Sequence, residues 1–377
     1  MTTSTMQLTK VRVEGFRSLK HVMLDLTPIT VLIGPNGAGK SNLLTALKLI
    51  PLIRTQSLRR FVGEQGGASR LLHYGPETTR ETAIVLEFTD GNAHMCYEAR
   101  LGYAAGDSFV FVAEHLFLGS LTDEEPKGFQ LGTGHTESQL KSFQLPAESS
   151  LGSVPALIGR ISFFHFHDTS LTSPLRQNAK QADSRYVRSN GSNLAAYLYR
   201  LKRSEGEDAR AAWNLLEGLV RRVAPFIKTL DPDLVTPDQA DASAVRLYWS
   251  DERDHRFDVH DLSDGTLRAI ALFAALTQPP SARPKFITID EPELGLHPAA
   301  ISIFAGLVRS ASAHSQILVA TQSPALLDEF APDEVVVAER SGGETSFARL
   351  DPKELEAWLE DYSLSELYDK NVLGGRP

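Results

Sequence analysis

Cysteine is almost absent from this 377-residue chain. Cys96 stands alone, which excludes an intrachain disulfide framework and any zinc site built from cysteine, and it suits a reducing cytoplasm. Long apolar runs are missing too: no stretch approaches the roughly 20 residues that a membrane span needs. Met1 to Thr9 lacks the apolar centre of a secretion signal, so the expected location is cytoplasmic, with no membrane partner. Excess positive charge is also lacking. A net charge of −9 excludes a broadly basic nucleic-acid-binding surface, although arrangement rather than sum decides whether a local basic patch exists. There is no internal repeat and no long block of like charge, so neither a solenoid nor a disordered chain fits. A composition that is 42% apolar leaves a folded protein with one large core or two modest ones.

Glycine is concentrated where it carries chemistry. Gly34-Pro35-Asn36-Gly37-Ala38-Gly39-Lys40-Ser41-Asn42 fits G-x-x-x-x-G-K-[ST], the phosphate-binding P-loop. Its glycines permit turns that aim successive amides at an anion, Lys40 adds a point charge for the β- and γ-phosphates, and the Ser41 hydroxyl suits Mg²⁺. The apolar run Ile29 to Ile33 reads as a buried strand before it. Asn42 to Ile50 reads as a helix whose N-terminus faces the phosphates. This spacing predicts a nucleoside triphosphate site.

Around the P-loop the pattern is readable in order. Leu8–Glu14 and His21–Leu26 alternate apolar and polar residues about Gly15-Phe16-Arg17-Ser18, which predicts a hairpin. Ala83–Phe88, Ala93–Leu101 and Ser108–Leu118 predict an antiparallel meander, with Asp90-Gly91 as its first turn. Gly119 to about Pro155 shows no periodicity and reads as loop or insertion. Arg160–Phe166 reads as a strand, and Asn193–Arg203 with Asp208–Val223 as a helical hairpin. From Val245 onward strands and helices alternate, which predicts a parallel sheet, before one amphipathic stretch from Pro352 to Tyr368. The expected division is 1–118, 119–240 and 241–377: an N-terminal half, an insertion with a helical lobe, and a C-terminal half.

Phe286-Ile287-Thr288-Ile289-Asp290-Glu291 has the Walker B form, an apolar strand ending in two acids. Asp290 suits Mg²⁺, and Glu291 suits the position of a base for an attacking water. Leu262-Ser263-Asp264-Gly265-Thr266 opens a helix upstream and supplies a second anion-binding turn. This string resembles the L-S-G-G-Q signature of ABC-type ATPases, with Asp264 for the first Gly and Thr266 for Gln. Gly15-Phe16-Arg17-Ser18, Glu291-Pro292-Glu293-Leu294-Gly295-Leu296-His297-Pro298 and Ala320-Thr321-Gln322-Ser323-Pro324 narrow the resemblance to the RecF/SMC/OLD branch. The ending Ser363 to Tyr368 followed by Gly374-Gly375-Arg376-Pro377 is similar to that of single-chain bacterial ATPases of the branch.

The resemblance implies an α/β P-loop ABC-type ATPase head with an antiparallel β subdomain and an inserted helical lobe, using ATP and Mg²⁺. It implies a homodimer in which Ser263 and Gly265 complete the partner's site and Leu296 and His297 lie in the loop crossing the interface. Gln322 falls where many relatives carry a switch histidine, and Gln65 is the candidate for the Q-loop ligand to the metal. The implied role is an ATP-gated switch in DNA maintenance or anti-phage defence, with DNA and a separate effector or nuclease chain as partners. The 86 residues from Pro292 to Pro377 are accounted for by ATPase strands and a closing helix, so no nuclease is expected within them. Two rival readings are a nucleotide-binding subunit of a membrane transporter and an ATP-binding scaffold with little turnover. Outside these motifs, His165 and His167 would share a strand face. They read as strand-end polar residues, with a metal site as the alternative. Asp231-Pro232-Asp233 reads as a solvated turn rather than half of a nuclease acid pair.

Overall fold

The computed structural model describes residues 6–91, 93–119, 127–143, 152–235 and 243–375. It divides into two compact units, one from Met1–Ile161 with Phe330–Pro377, the other Ser162–Glu329.

In the first unit, six antiparallel strands lie in the order Leu19–Asp25, Gln7–Phe16, Glu81–Thr89, His94–Ala104, Ser108–Leu118 and Lys127–Gly132. The predicted hairpin and meander are the first five of these. The sixth corrects the reading of Gly119 to Pro155 as loop, of which residues 120–126 and 144–151 lie outside the described residues, as do Arg376 and Pro377 of the ending. Its sequence, Lys-Gly-Phe-Gln-Leu-Gly, buries only Leu131 and carries two glycines, so period-2 alternation never develops. Gly128 is there because a Cβ would stand 2.5 Å from the Leu116 carbonyl oxygen.

The P-loop strand Ile29–Ile33 is buried at all five residues, as a strand covered on both faces must be, and it pairs parallel with Val335–Ser341. Val335–Ser341 turns through Gly342 and Gly343, both at positive φ, into an antiparallel partner, Glu344–Arg349. The single amphipathic stretch expected at the end is two helices, Pro352–Leu359 and Leu364–Asp369. A capping box separates them: Ser363 Oγ accepts from the Glu366 amide, and the Glu366 carboxylate accepts from the Ser363 amide.

The second unit holds the expected helical hairpin, Leu194–Arg203 and Glu207–Val223. Beside it a small antiparallel sheet joins Thr229–Leu234, Ala244–Ser250, Arg256–Asp258 and Ala179–Lys180. Asp231-Pro232-Asp233 is therefore strand, not turn. The proline is tolerated because this strand is at the sheet edge. The acids are held as ion pairs, Asp231 with Lys202 and Arg256, Asp233 with Arg203 and Arg256. The parallel pair predicted from the later alternation is Phe286–Asp290 with Gln316–Thr321, flanked in sequence by helices Asp264–Leu276 and Pro298–Ser312. The chain is thus mixed α/β, with the antiparallel sheet in the first unit and the helical hairpin in the second.

Candidate functional site

In the first unit the P-loop turns through Gly37 and Gly39, at φ 80° and 107°, into the helix Lys40–Thr55. No side chain caps that helix, so its first turn presents backbone toward an anion. The loop is fitted tightly from behind. A Cβ on Gly34 would lie 2.4 Å from the Ala338 carbonyl oxygen, and one on Gly39 would lie 2.0 Å from Thr345 Oγ1. Thr345 Oγ1 donates to the Ala38 carbonyl at 2.9 Å and shares a 2.7 Å hydrogen bond with Ser18 Oγ. Lys40 is buried, its ammonium donating to the carbonyls of Gly34 and Pro35, the latter at 3.1 Å. Asn36, Gly37 and Ser41 are exposed, while Ala38 and Gly39 are buried and Pro35 and Asn42 half-buried.

The Gly15-to-Ser18 turn is part of the same assembly. Asn42 Nδ2 donates to Ser18 Oγ at 2.7 Å, and Arg17 donates to Gln65 Oε1 at 2.7 Å. Arg17 also reaches Asn42 Oδ1 and Thr45 Oγ1, each at 3.5 Å, and burial lowers its guanidinium pKa. Gln65 ends the short helix Leu58–Glu64, with its amide oxygen facing that cation. Arg17 belongs to the Gly15-to-Ser18 motif and Gln65 is the Q-loop candidate, but their pairing across 48 residues, from a left-handed Arg17 at φ 47°, has no signal in the sequence.

In the second unit Asp290 and Glu291 end their strand together. The Glu291 amide donates to the Ala320 carbonyl at 2.7 Å, and its φ of 43° turns the chain out of the sheet. For a glutamate this is a strained conformation, of the sort that persists where a side chain must be aimed. Gln322 Nε2 donates to Glu291 Oε1, and the Gln322 amide donates to Glu293 Oε1 at 3.2 Å. Gln322 thus bears on the acid itself. Two histidines join this cluster. His165 Nδ1 lies 3.4 Å from Asp290 Oδ2, and His167 Nε2 lies 3.0 Å from the Asp290 carbonyl oxygen and 3.8 Å from Glu291 Oε2. Nothing in the sequence pairs these positions, more than 120 residues apart.

Ser263 caps the signature helix, its Oγ accepting from the Thr266 amide at 3.3 Å. Gly265 is required: a Cβ would stand 2.2 Å from the Gly295 carbonyl oxygen, in the loop that carries Leu296 and His297. His297 itself caps the next helix. Asp264, the residue after the Ser263 cap, is taken by Arg176, whose Nη2 donates to Asp264 Oδ1 at 2.8 Å. The same buried guanidinium donates to the carbonyls of Thr169, Val259 and Leu262. One turn along the helix, Arg268 donates to the carbonyls of Phe166 and His167, at 2.9 Å each, and to Leu294. Two arginines that the motifs did not reveal therefore brace the signature turn and the histidine segment.

A family profile described as "AAA domain, putative AbiEii toxin, Type IV TA system" matches residues 29–328. The Old nuclease of Escherichia phage P2 is 23% identical over 90% of this chain and 60% of its own length. The OLD nuclease of Thermus scotoductus is 27% identical over 85% of this chain and again 60% of its own length. The chain thus spans about three fifths of these curated relatives. Among solved structures, an SMC head bound to the C-terminal winged-helix domain of ScpA superposes with a TM-score of 0.61, at 14% identity, over 92% of this chain and 99% of that one.

Proposed function

The chain belongs to this AAA-domain family, as an ABC-type ATPase of the RecF/SMC/OLD branch, and on that premise we propose that it is an Mg²⁺-dependent ATP hydrolase working as an ATP-gated dimer switch. The observation that carries the reading is the P-loop itself: a turn that only glycines can make, opening an uncapped helix, with a buried ammonium beneath it. The nucleotide-binding residues are Gly34 to Asn42, with Ser263 and Gly265 contributed to the site of a second copy. The hydroxyl of Ser41 and the carboxylate of Asp290 are hard oxygen donors of the kind Mg²⁺ takes, whereas the amide oxygen of Gln65, the third candidate, is held by Arg17 at 2.7 Å and would have to leave it to join them. Bound there, the ion would spread the charge that develops between the β- and γ-phosphates.

The protein's own groups divide the remaining work. Lys40 and the loop amides stabilise phosphate charge. Glu291 accepts the proton of the attacking water, and Gln322, donating to one of its oxygens, leaves the other oriented for that task. The exposed Ser263 turn has the chemistry to close over a partner's phosphates. ATP would then favour the paired state and hydrolysis would release it, because each nucleotide contacts the two states differently. The branch relationship supports a role in DNA maintenance or anti-phage defence, with the effector or nuclease supplied by another chain. A direct contact with DNA would show as binding that weakens steeply with added salt. The test is phosphate release from wild type, Lys40→Met and Glu291→Gln. Glu291→Gln should keep ATP, accumulate as dimer and turn over about 10²–10⁴-fold more slowly. Equal rates for wild type and Glu291→Gln would remove Glu291 from its role.

A further inference from the structure

We propose that His165, His167 and Asp290 form a binding site for a divalent transition ion of the Zn²⁺ class. Among the described residues this is the one group of three or more His, Cys, Asp or Glu side chains whose ligand atoms all lie within 4.8 Å of one another. Its composition, two imidazoles and a carboxylate, is the donor set that Zn²⁺ takes with a solvent molecule as fourth ligand, and one that Mg²⁺, which demands oxygen, does not select. The rings lie side by side, centroids 3.8 Å apart, on the same side of the segment that follows the strand ending at Phe164. Both face the end of the Walker B strand: His165 toward Asp290 Oδ2 at 3.4 Å, His167 toward the Asp290 carbonyl and the Glu291 carboxylate.

The backbone that carries them is braced independently of any ion. Arg268 holds the Phe166 and His167 carbonyls, and the His165 amide donates to the Ser189 carbonyl at 3.0 Å. A fixed backbone with half-exposed rings lets the imidazoles swing onto an ion while the site as a whole stays put, the order in which preorganised sites are built. At present His167 Nε2 must be the protonated nitrogen, since a carbonyl oxygen can only accept from it. Loading through that nitrogen exchanges the hydrogen bond for the ion and shifts the ring proton to Nδ1 or to solvent. Glu291 Oε2, 3.8 Å from His167 Nε2, is a carboxylate oxygen that could replace the solvent ligand. Such an ion would occupy the carboxylate that the proposed function assigns to Mg²⁺, which makes the site inhibitory. That consequence rests on the ATPase reading; the binding itself does not.

The test therefore omits nucleotide. Untagged full-length protein is titrated with Zn²⁺ by calorimetry, and with Co²⁺ followed by its visible absorption. Wild type should bind one ion per chain, and His165→Ala/His167→Ala should bind about 100-fold more weakly, at least the loss seen when groups merely supporting a metal ligand are removed. Co²⁺ bound to wild type should show the intense bands of a low-coordinate ion, absent in the double variant. His255→Ala/His260→Ala, which removes two histidines outside the cluster, should bind like wild type. Matching thermal melts would show that the double variant is folded. Equal stoichiometry and affinity in wild type and the double variant, or no Zn²⁺ binding by wild type, would overturn the proposal, whatever the ATPase assay shows.

Discussion

Arg176 provides a sharp test of how the signature turn is held. Its side chain is 3% exposed, whereas that of its ion-pair partner, Asp264, is 66% exposed. A pair whose acid lies this far in solvent contributes roughly 0.2–1 kcal/mol, and less in salt. The three carbonyls of Thr169, Val259 and Leu262 are another matter, because they meet the guanidinium in the protein interior. Orphaning a buried acceptor costs about 1–3 kcal/mol, and since the Val259 carbonyl keeps the Leu262 amide at 3.3 Å, the two carbonyls left without a donor put Arg176→Met at about 2–5 kcal/mol. Asp264→Asn keeps the shape and removes the charge, at a cost of at most about 1 kcal/mol. Urea unfolding followed by tryptophan fluorescence and circular dichroism measures both. At least about twice the loss for Arg176→Met, with little coupling in the double variant, is the expected result. Comparable losses for the two single variants would mean that charge, not carbonyl satisfaction, secures the loop, and the reasoning would fall.

Other predictions follow from the same contacts. Gly39→Ala adds a Cβ 2.0 Å from Thr345 Oγ1 at a φ of 107°. Left-handed backbone and overpacking together cost about 2–5 kcal/mol, so ATP affinity measured by calorimetry should fall at least about thirtyfold. Thr345→Ala in that background should restore part of it; an unchanged affinity for Gly39→Ala alone would contradict the fit. Arg268→Lys retains the charge but not the fork that reaches three carbonyls, so it should lose about 1–3 kcal/mol in the same urea assay. Thr345→Val removes the hydroxyl bonded to Ser18 and Ala38 and should cost about 1–2 kcal/mol, with weaker ATP binding.

The parts of the protein that could be read from sequence are those whose meaning is local. Gly34 to Ser41 is a continuous string whose spacing dictates its geometry, and Phe286 to Glu291 announces a buried strand with acids at its exit. The helical hairpin was visible because Leu and Ala recur at helical spacing. The strand Lys127–Gly132 was not, since an edge strand with two glycines buries too little to show a pattern. Glu344–Arg349 escaped for a similar reason: Thr345 is its one fully buried side chain, and it is polar. Arg176 and Arg268 act on carbonyls, which carry no residue identity, at separations of 83 and 102 residues for Val259 and Phe166. The meeting of His165 and His167 with Asp290 likewise belongs to the tertiary fold. Sequence could supply two histidines on one strand face and an acid elsewhere, but not that they converge.

The central claim is that a second copy of the chain completes each reaction centre, and the specific rate of ATP hydrolysis as a function of protein concentration tests it most directly. With ATP and Mg²⁺ saturating, the rate per chain should fall toward zero on dilution. Mixing Lys40→Met with Ser263→Arg, each inactive alone, should recover activity, because one hybrid site is intact. A rate per chain that stays constant at every dilution, with Ser263→Arg as active as wild type, would contradict the account.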